Sequence, residues 1–187
     1  MKLVVTQNIT PDGVIEMVTD WFSPQGEGDD TADQQAVIDR QMGEEDGFLV
    51  GRQTFEDMRS YWPNQTNDTT GITAHLNRVD KYVVSTTIGN PQWEHTTVLG
   101  GGNAVEEVRA LKEQPGGDLG VTGSITLCHA LIGAGLVDEY RLYFYPIVVG
   151  RGRRLFPDGT DLGPLELVDA TPFKSGVVLL TYRLEAA

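Results

Sequence analysis

Short apolar runs alternate with helix-like segments through the first two thirds of the chain. The runs contain few polar residues and lie at 3–6, 48–50, 82–85, 97–99 and 119–122. The segments between them predict helices at 31–42, 54–58, 104–113 and 125–134. Such alternation predicts parallel strands joined by helices, and strands with little polar alternation are typical of a sheet that is covered on both faces.

The last third of the chain follows a different pattern. Beyond Gly135, strand-like runs at 140–145, 165–170 and 177–184 follow one another without an intervening helix, which indicates an antiparallel end to the sheet. The predicted fold is therefore a three-layer α/β (αβα) domain with a mostly parallel central sheet and antiparallel C-terminal strands. No linker or internal repeat interrupts it, so residues 1–187 are predicted to form a single domain.

Charge and composition narrow the range of partners. The formal net charge of -13 disfavours a nucleic-acid partner, because phosphate backbones require a basic surface. No apolar run approaches the roughly 20 residues needed to span a bilayer. The chain starts with a strand-like run rather than a signal peptide, so we expect a cytoplasmic protein without a membrane partner. The single cysteine, Cys128, is expected to be a buried, inert thiol, and the scattered histidines predict no metal site.

Small and hydroxyl-bearing residues stand where three of the predicted strands end. The second strand is followed by Gly51, Arg52 and Thr54 at the start of a helix. A glycine, the free N–H groups of a helix start and a guanidinium together form an anion site, although a tight turn with a solvated arginine is the alternative. Two further strand ends carry the same kinds of residue: Ser85, Thr86, Gly123 and Ser124.

Together with residues 12–15 (Asp-Gly-Val-Ile), these segments resemble the dihydrofolate-reductase-like superfamily. The closer resemblance is to the branch that contains the reductase domain of bifunctional riboflavin-biosynthesis deaminase/reductases and its stand-alone relatives. Two later stretches, residues 135–140 and 146–156, look like late motifs of that branch. The resemblance extends over nearly the whole chain and rests on the order and spacing of the motifs.

The resemblance implies NADPH as the cofactor. In the family, a Gly-Arg-x-Thr turn contacts the adenosine side, and hydroxyls after the next strand help to hold the adenine ribose and its 2′-phosphate. The matching residues in this chain are Gly51, Arg52, Thr54, Ser85 and Thr86. The pyrophosphate-binding turn matches Gly123, Ser124, Ile125 and Thr126, and Ile15 matches an apolar contact beside the nicotinamide.

The substrate side departs from true dihydrofolate reductases, which hold the pterin with one carboxylate on the first helix. The matching segment here carries several acids: Glu27, Asp29, Asp30 and Asp33. We take Asp33 as the nominal catalytic residue, in the role of proton donor. Acids at a helix start are also favoured by the helix dipole alone.

Two glycine-rich segments carry weaker signals. The triple glycine at 100–102 precedes a helix, but it lacks the phosphate-loop pattern and a following lysine, so it is predicted to be a connection. Residues 150–154 (Gly-Arg-Gly-Arg-Arg) could bind an anionic substrate such as a ribityl or ribosyl phosphate. The alternative is a turn in which the arginines satisfy carbonyls or carboxylates.

The predicted function is an NADPH-dependent reductase that transfers hydride to a C=N or C=O bond of a small substrate. The substrate is expected to be a pterin- or pyrimidine-like heterocycle or a sugar derivative. The rival is a non-catalytic NADP(H)- or flavin-binding protein on the same fold. We also expect a homodimer, for which Tyr140, Tyr143 and Tyr145 would offer exposed aromatic surface unless they simply pack within the sheet.

Overall fold

The computed structural model describes residues 1–22 and 31–184, and in these residues the chain forms one eight-stranded sheet and five α-helices. The strands are β1 (Lys2–Ile9), β2 (Glu45–Gly51), β3 (Asp80–Val84), β4 (Thr96–Leu99), β5 (Asp118–Val121), β6 (Glu139–Phe144), β7 (Leu165–Pro172) and β8 (Val178–Leu184). The α-helices are α1 (Ala32–Glu44), α2 (Arg52–Tyr61), α3 (Ile72–Arg78), α4 (Ala104–Lys112) and α5 (Ile125–Gly133). A short 3-10 helix, Trp62–Asn64, follows α2.

The sheet has the strand order β4-β3-β2-β5-β1-β6-β8-β7. Every neighbouring pair from β4 to β6 is parallel. In contrast, β8 pairs antiparallel with both β6 and β7. The predicted mostly parallel sheet with antiparallel C-terminal strands is therefore confirmed.

Alternate residues of β2 pack on opposite faces of the sheet. Phe48 and Val50 join a cluster with Phe55 of α2 and Leu76 of α3. Leu49 instead joins the main core, which contains side chains of α4 and α5. Each large apolar side chain that is fully buried in this way stabilises the fold by ~1.5–3 kcal/mol. Helices therefore cover both faces, as the apolar strands predicted.

The tyrosines of β6 do not form an exposed surface. Tyr140 is 1% exposed and Tyr143 is 3% exposed. Tyr145 packs edge-on against Trp21 and Phe22. The prediction that these tyrosines offer exposed aromatic surface for a dimer is wrong, because Tyr140 and Tyr143 lie on a strand inside the sheet and Tyr145, just after β6, is half-buried against aromatic rings.

Helix α3 is the main element that sequence reasoning missed. Its seven residues make about two turns, too few for an apolar stripe to be distinguished from a loop. Packing decides the conformation here, because His75 and Leu76 of α3 are both buried. The Nε2 of His75 lies 2.8 Å from a carboxylate oxygen of Glu45, which joins α3 to the start of β2.

Candidate functional site

The parallel strands bring their carboxyl ends to one edge of the sheet. Strands β4, β3, β2 and β5 are consecutive in the sheet order, and they end at Leu99, Val84, Gly51 and Val121. Ligands of open parallel sheets bind outside the carboxyl ends of the strands. The predicted cofactor residues of three separate motifs therefore lie along one edge.

The starts of α2 and α5 are tied together by reciprocal hydrogen bonds. The backbone N–H of Gly51 donates to the hydroxyl of Ser124 at 3.0 Å. The backbone N–H of Ser124 donates to the hydroxyl of Thr54 at 3.1 Å. Each hydroxyl thus satisfies a backbone donor of the other segment, and two helix starts meet at one point. Thr54 and Ser124 hold this junction together.

The junction contains two consecutive residues in left-handed backbone conformations. Gly123 has φ +57° and Ser124 has φ 47°, a region that side-chain-bearing residues rarely adopt. A Cβ at Gly123 would lie 3.3 Å from the Cγ2 of Thr54. No side chain caps the start of α5. The backbone N–H groups of its first residues, Ile125 and Thr126, are therefore available to an anion, which a helix start favours.

Gln7 supports this turn from beneath, and no sequence signal identified it. Its side chain on β1 is 3% exposed, and its Nε2 donates to the carbonyl of Gly123 at 2.8 Å. The same Nε2 lies 3.3 Å from the Sγ of Cys128. Burial raises the pKa of the Cys128 thiol to about 12, so the group stays protonated and unreactive near neutral pH.

A cavity of about 330 Å³ opens beside the ends of β3 and β4. It brings together three predicted residues, Arg52, Ser85 and Thr86, with several that sequence reasoning missed. The additional lining residues are Val84, Thr87, Leu99, Gly100, Gly102, Ala104 and Glu107. The lining does not include Ile15, which is buried in the main core.

The polar side chains of this cavity differ in whether they already have hydrogen-bond or ion-pair partners within the protein. The Ser85 hydroxyl accepts the N–H groups of Thr87 and Ile88, both at 3.1 Å, so it shapes its own turn. Thr86 is exposed and free to face a ligand. The guanidinium of Arg52 lies 3.0 Å from the carboxylate of Glu56, one helical turn along α2.

The triple glycine is part of this cavity wall. A Cβ at Gly100 would lie 2.7 Å from the backbone oxygen of Ser85, so this position requires glycine for the close approach of two chain segments. The N–H of Gly101 donates to the Oε1 of Glu107 at 2.9 Å. The triple glycine connects β4 to α4, and Gly100 and Gly102 line the same cavity as Arg52.

The loops after β1 and β6 are joined beside the start of α5. The carboxylate of Asp12 accepts the N–H of Gly150 at 2.8 Å, and that of Glu16 accepts the Nε of Arg153 at 2.8 Å. Hydrogen bonding by Thr10 and then Gly150 lowers the pKa of Asp12, and the backbone and guanidinium of Arg153 lower that of Glu16. The side chain of Arg153 satisfies a carboxylate, which was the structural alternative for this segment.

Asp33 lies at the start of α1, away from the cavity lining. One carboxylate oxygen accepts the backbone N–H of Lys174 at 3.0 Å, and the other accepts that of Gln34 at 2.9 Å. The bond from Lys174 ties α1 to the turn between β7 and β8. The other acids named for this region, Glu27, Asp29 and Asp30, lie outside the described residues. The role of Asp33 as proton donor stays a prediction.

Two other kinds of feature are absent from residues 1–22 and 31–184. In these residues no group of three or more His, Cys, Asp or Glu side chains is placed to hold a metal ion. Within the same ranges, no helix has the length and apolar character required to cross a membrane.

A mostly parallel sheet finished by antiparallel strands, with helices around it, defines the dihydrofolate-reductase-like class. More narrowly, the family model described as the RibD C-terminal domain matches residues 1–179, and the chain belongs to this family. The uncharacterized protein YyaP of Bacillus subtilis (strain 168) is 32% identical over 190 residues, covering 97% of this chain and 94% of YyaP.

Two solved structures show the same fold at low identity. A pyrimidine reductase-like protein from Corynebacterium diphtheriae has a TM-score of 0.65 at 14% identity, covering 100% of this chain and 92% of its own. Dihydrofolate reductase from Enterococcus faecalis, complexed with NADP(H), has a TM-score of 0.64 at 19% identity, covering 99% and 97% of the two chains. At these identities the likeness concerns the fold.

Proposed function

We propose that this protein is an NADPH-dependent reductase that transfers hydride to a C=N or C=O bond of a small pterin- or pyrimidine-like heterocycle or a sugar derivative. Membership of the RibD C-terminal domain family supports a reductase. The observation that carries the proposal is the joined start of α2 and α5, with the Arg52 cavity next to it at the same sheet edge.

The residues present fit a dinucleotide that carries an additional phosphate. Backbone N–H groups at the start of α5 would bind the pyrophosphate, because helix starts favour anions. Arg52 and Thr86 would bind the 2′-phosphate in the cavity, which Ser85 shapes. Ile15 would contribute an apolar wall beside the nicotinamide. When bound, the cofactor supplies the hydride, and these residues supply its position.

A non-catalytic NADP(H)-binding protein is the second candidate. The hydrogen bonds that Asp33 makes within the fold support it. A proton donor must reach the reacting atom, whereas both carboxylate oxygens of Asp33 already accept backbone N–H groups. A reductase would then need its proton from Asp33 after these bonds rearrange, or from water.

Binding and hydride transfer can be measured separately. Calorimetry with NADPH should give heat with saturable binding, and absence of heat up to millimolar NADPH would contradict both candidates. Mixing the complex with a panel of pterins and reduced or oxidised pyrimidines should then oxidise NADPH for at least one of them. Tight binding without oxidation by any member would favour the non-catalytic protein. A cytoplasmic location and a homodimer remain part of the proposal, and light scattering checks the dimer.

A further inference from the structure

The cavity beside β3 and β4 contains side chains of opposite charge. Arg52 at the start of α2 and Glu107 in the first turn of α4 both line it. The guanidinium of Arg52 already lies 3.0 Å from the carboxylate of Glu56. One positive and two negative side chains leave this group with a net charge of -1. The negative charges of Glu56 and Glu107 therefore offset part of the attraction that Arg52 exerts on a phosphate.

The fold uses only part of the hydrogen-bonding capacity of Glu107. Its Oε1 accepts the N–H of Gly101 at 2.9 Å and so fastens the glycine turn. The basic residue nearby on the same helix, Arg109, pairs with Glu106 instead. A carboxylate offers about four acceptor positions, and within the described chain the second oxygen of Glu107 has no hydrogen-bond donor. This acceptor is available to a ligand in the cavity.

We propose that Glu107 is a specificity-determining residue that accepts a hydrogen bond from a ribose hydroxyl of the adenosine, so that the protein takes NADH as well as NADPH. This inference rests on the proposed function. A carboxylate that meets the ribose 2′-hydroxyl favours NADH in other dinucleotide sites. The same charge repels a 2′-phosphate, which Arg52 attracts. Arg52 and Glu107 therefore have opposite effects on the choice between the two cofactors.

Calorimetric dissociation constants for NADPH and NADH test this assignment in the wild type and in Glu107→Gln. The wild type should bind the two cofactors within about tenfold of each other. In Glu107→Gln the amide oxygen can still accept the N–H of Gly101, while the NH2 group cannot accept a ribose hydroxyl. NADH should weaken and NADPH should tighten, which shifts the ratio by about tenfold towards NADPH.

Glu106→Gln is the matched control, because it removes the same charge from the same helical turn outside the cavity lining. It should leave the ratio within about twofold of the wild type. Equal weakening of both cofactors in Glu107→Gln would overturn the inference and leave Glu107 as a residue that only holds the glycine turn. A shift no larger than that of Glu106→Gln would overturn it as well. If the wild type binds neither cofactor, the proposed function itself fails.

Discussion

At the edge where the parallel strands begin, charged side chains are buried and paired with one another, whereas at the edge where they end they are exposed and face a cavity. The first edge contains Arg141, which bonds Glu139 and Asp118 at 2.8 Å and Glu44 at 3.0 Å. The second contains Arg52, whose side chain is 50% exposed and which pairs with one neighbour on its own helix.

This difference separates charges that maintain the fold from charges that can meet a ligand. A buried ion must have its partners within the protein, because removal from water costs several kcal/mol per ion. An exposed ion gains little from a surface pair, ~0–1 kcal/mol, so it can exchange that pair for a ligand at small cost. Arg141 thus belongs to the charges that maintain the fold, whereas Arg52 is the arginine that we propose for binding, although both have carboxylate partners.

The largest effect is expected from breaking the buried network. Arg141→Leu would remove the buried guanidinium that bridges Glu139 and Asp118, and loss of one member of a buried pair costs about 3–5 kcal/mol. Urea unfolding should show this loss. The control is Arg183→Leu, which removes a half-exposed partner of the same Glu139 and should cost ~1 kcal/mol or less. Equal losses in the two variants would contradict the special role of the buried arginine.

At the opposite edge, Gly123→Val should combine loss of binding with backbone strain. A side chain at φ +57° is strained by ~1–2 kcal/mol, and its Cβ would contact Thr54 at the helix junction. We expect NADPH binding to weaken by more than about tenfold, with a modest fall in the unfolding midpoint. Calorimetry and thermal unfolding measure the two effects.

Gly135→Val separates these effects because it lies at the other end of α5. Its φ of +63° imposes a similar strain, yet nothing lies within 4 Å of its Cβ position. The unfolding midpoint should fall comparably while NADPH binding is retained. If Gly135→Val also abolished binding, strain in α5 rather than obstruction of the turn would explain the Gly123 variant.

The exposed arginine should have a smaller and selective effect. A charge-assisted hydrogen bond contributes ~1.5–3 kcal/mol, but Arg52 shares its charge with Glu56. Arg52→Ala should therefore weaken NADPH by about tenfold, leave NADH nearly unchanged and reduce the salt dependence of NADPH binding. Glu56→Gln should have the opposite effect, because it removes the carboxylate that pairs with Arg52, and NADPH should bind a few-fold more tightly. Equal weakening of both cofactors by Arg52→Ala would show that the residue maintains the α2 turn instead.

The smallest effect is the acid sensitivity of the buried network. Burial alone would raise the pKa of Glu139, but hydrogen bonding from Arg183 and the charge of Arg141 outweigh it and hold the pKa below its usual value of 4.5. A carboxyl group with a lowered pKa in the folded state stabilises the protein fully above that usual value and loses this contribution as pH falls through the folded pKa. Urea unfolding at a series of acidic pH values should show a shallower decline in Glu139→Gln than in the wild type.

Several parts of this picture were predictable from the sequence because they depend on local patterns. Apolar runs without polar alternation predicted strands covered on both faces, and the change beyond Gly135 predicted the antiparallel end of the sheet. Arg52, Ser85 and Thr86 follow strands directly, so parallel pairing alone was enough to bring them into one cavity.

Glu107 and Gln7 could not be found in that way. An acid in the first turn of a helix is explained by the helix dipole, and a glutamine inside an apolar strand carries no recognised signal. Their roles come from strand order: β5 lies beside β1, which places Gln7 under the turn at Gly123, and β4 lies beside β3, which places α4 at the cavity.

Except for the short helix α3, the sequence by itself determined the element types, the parallel sheet and the kinds of residue at the strand ends, since each follows from short-range periodicity and turn chemistry. Tertiary structure alone decided which arginines are buried, which hydroxyls are already committed to backbone donors and which carboxylate faces the cavity. Those properties depend on contacts between residues as far apart in the chain as Gly51 and Ser124 or Arg141 and Glu44. Local patterns do not encode such contacts, because the same residue types are equally compatible with solvent until the sheet order brings their partners together.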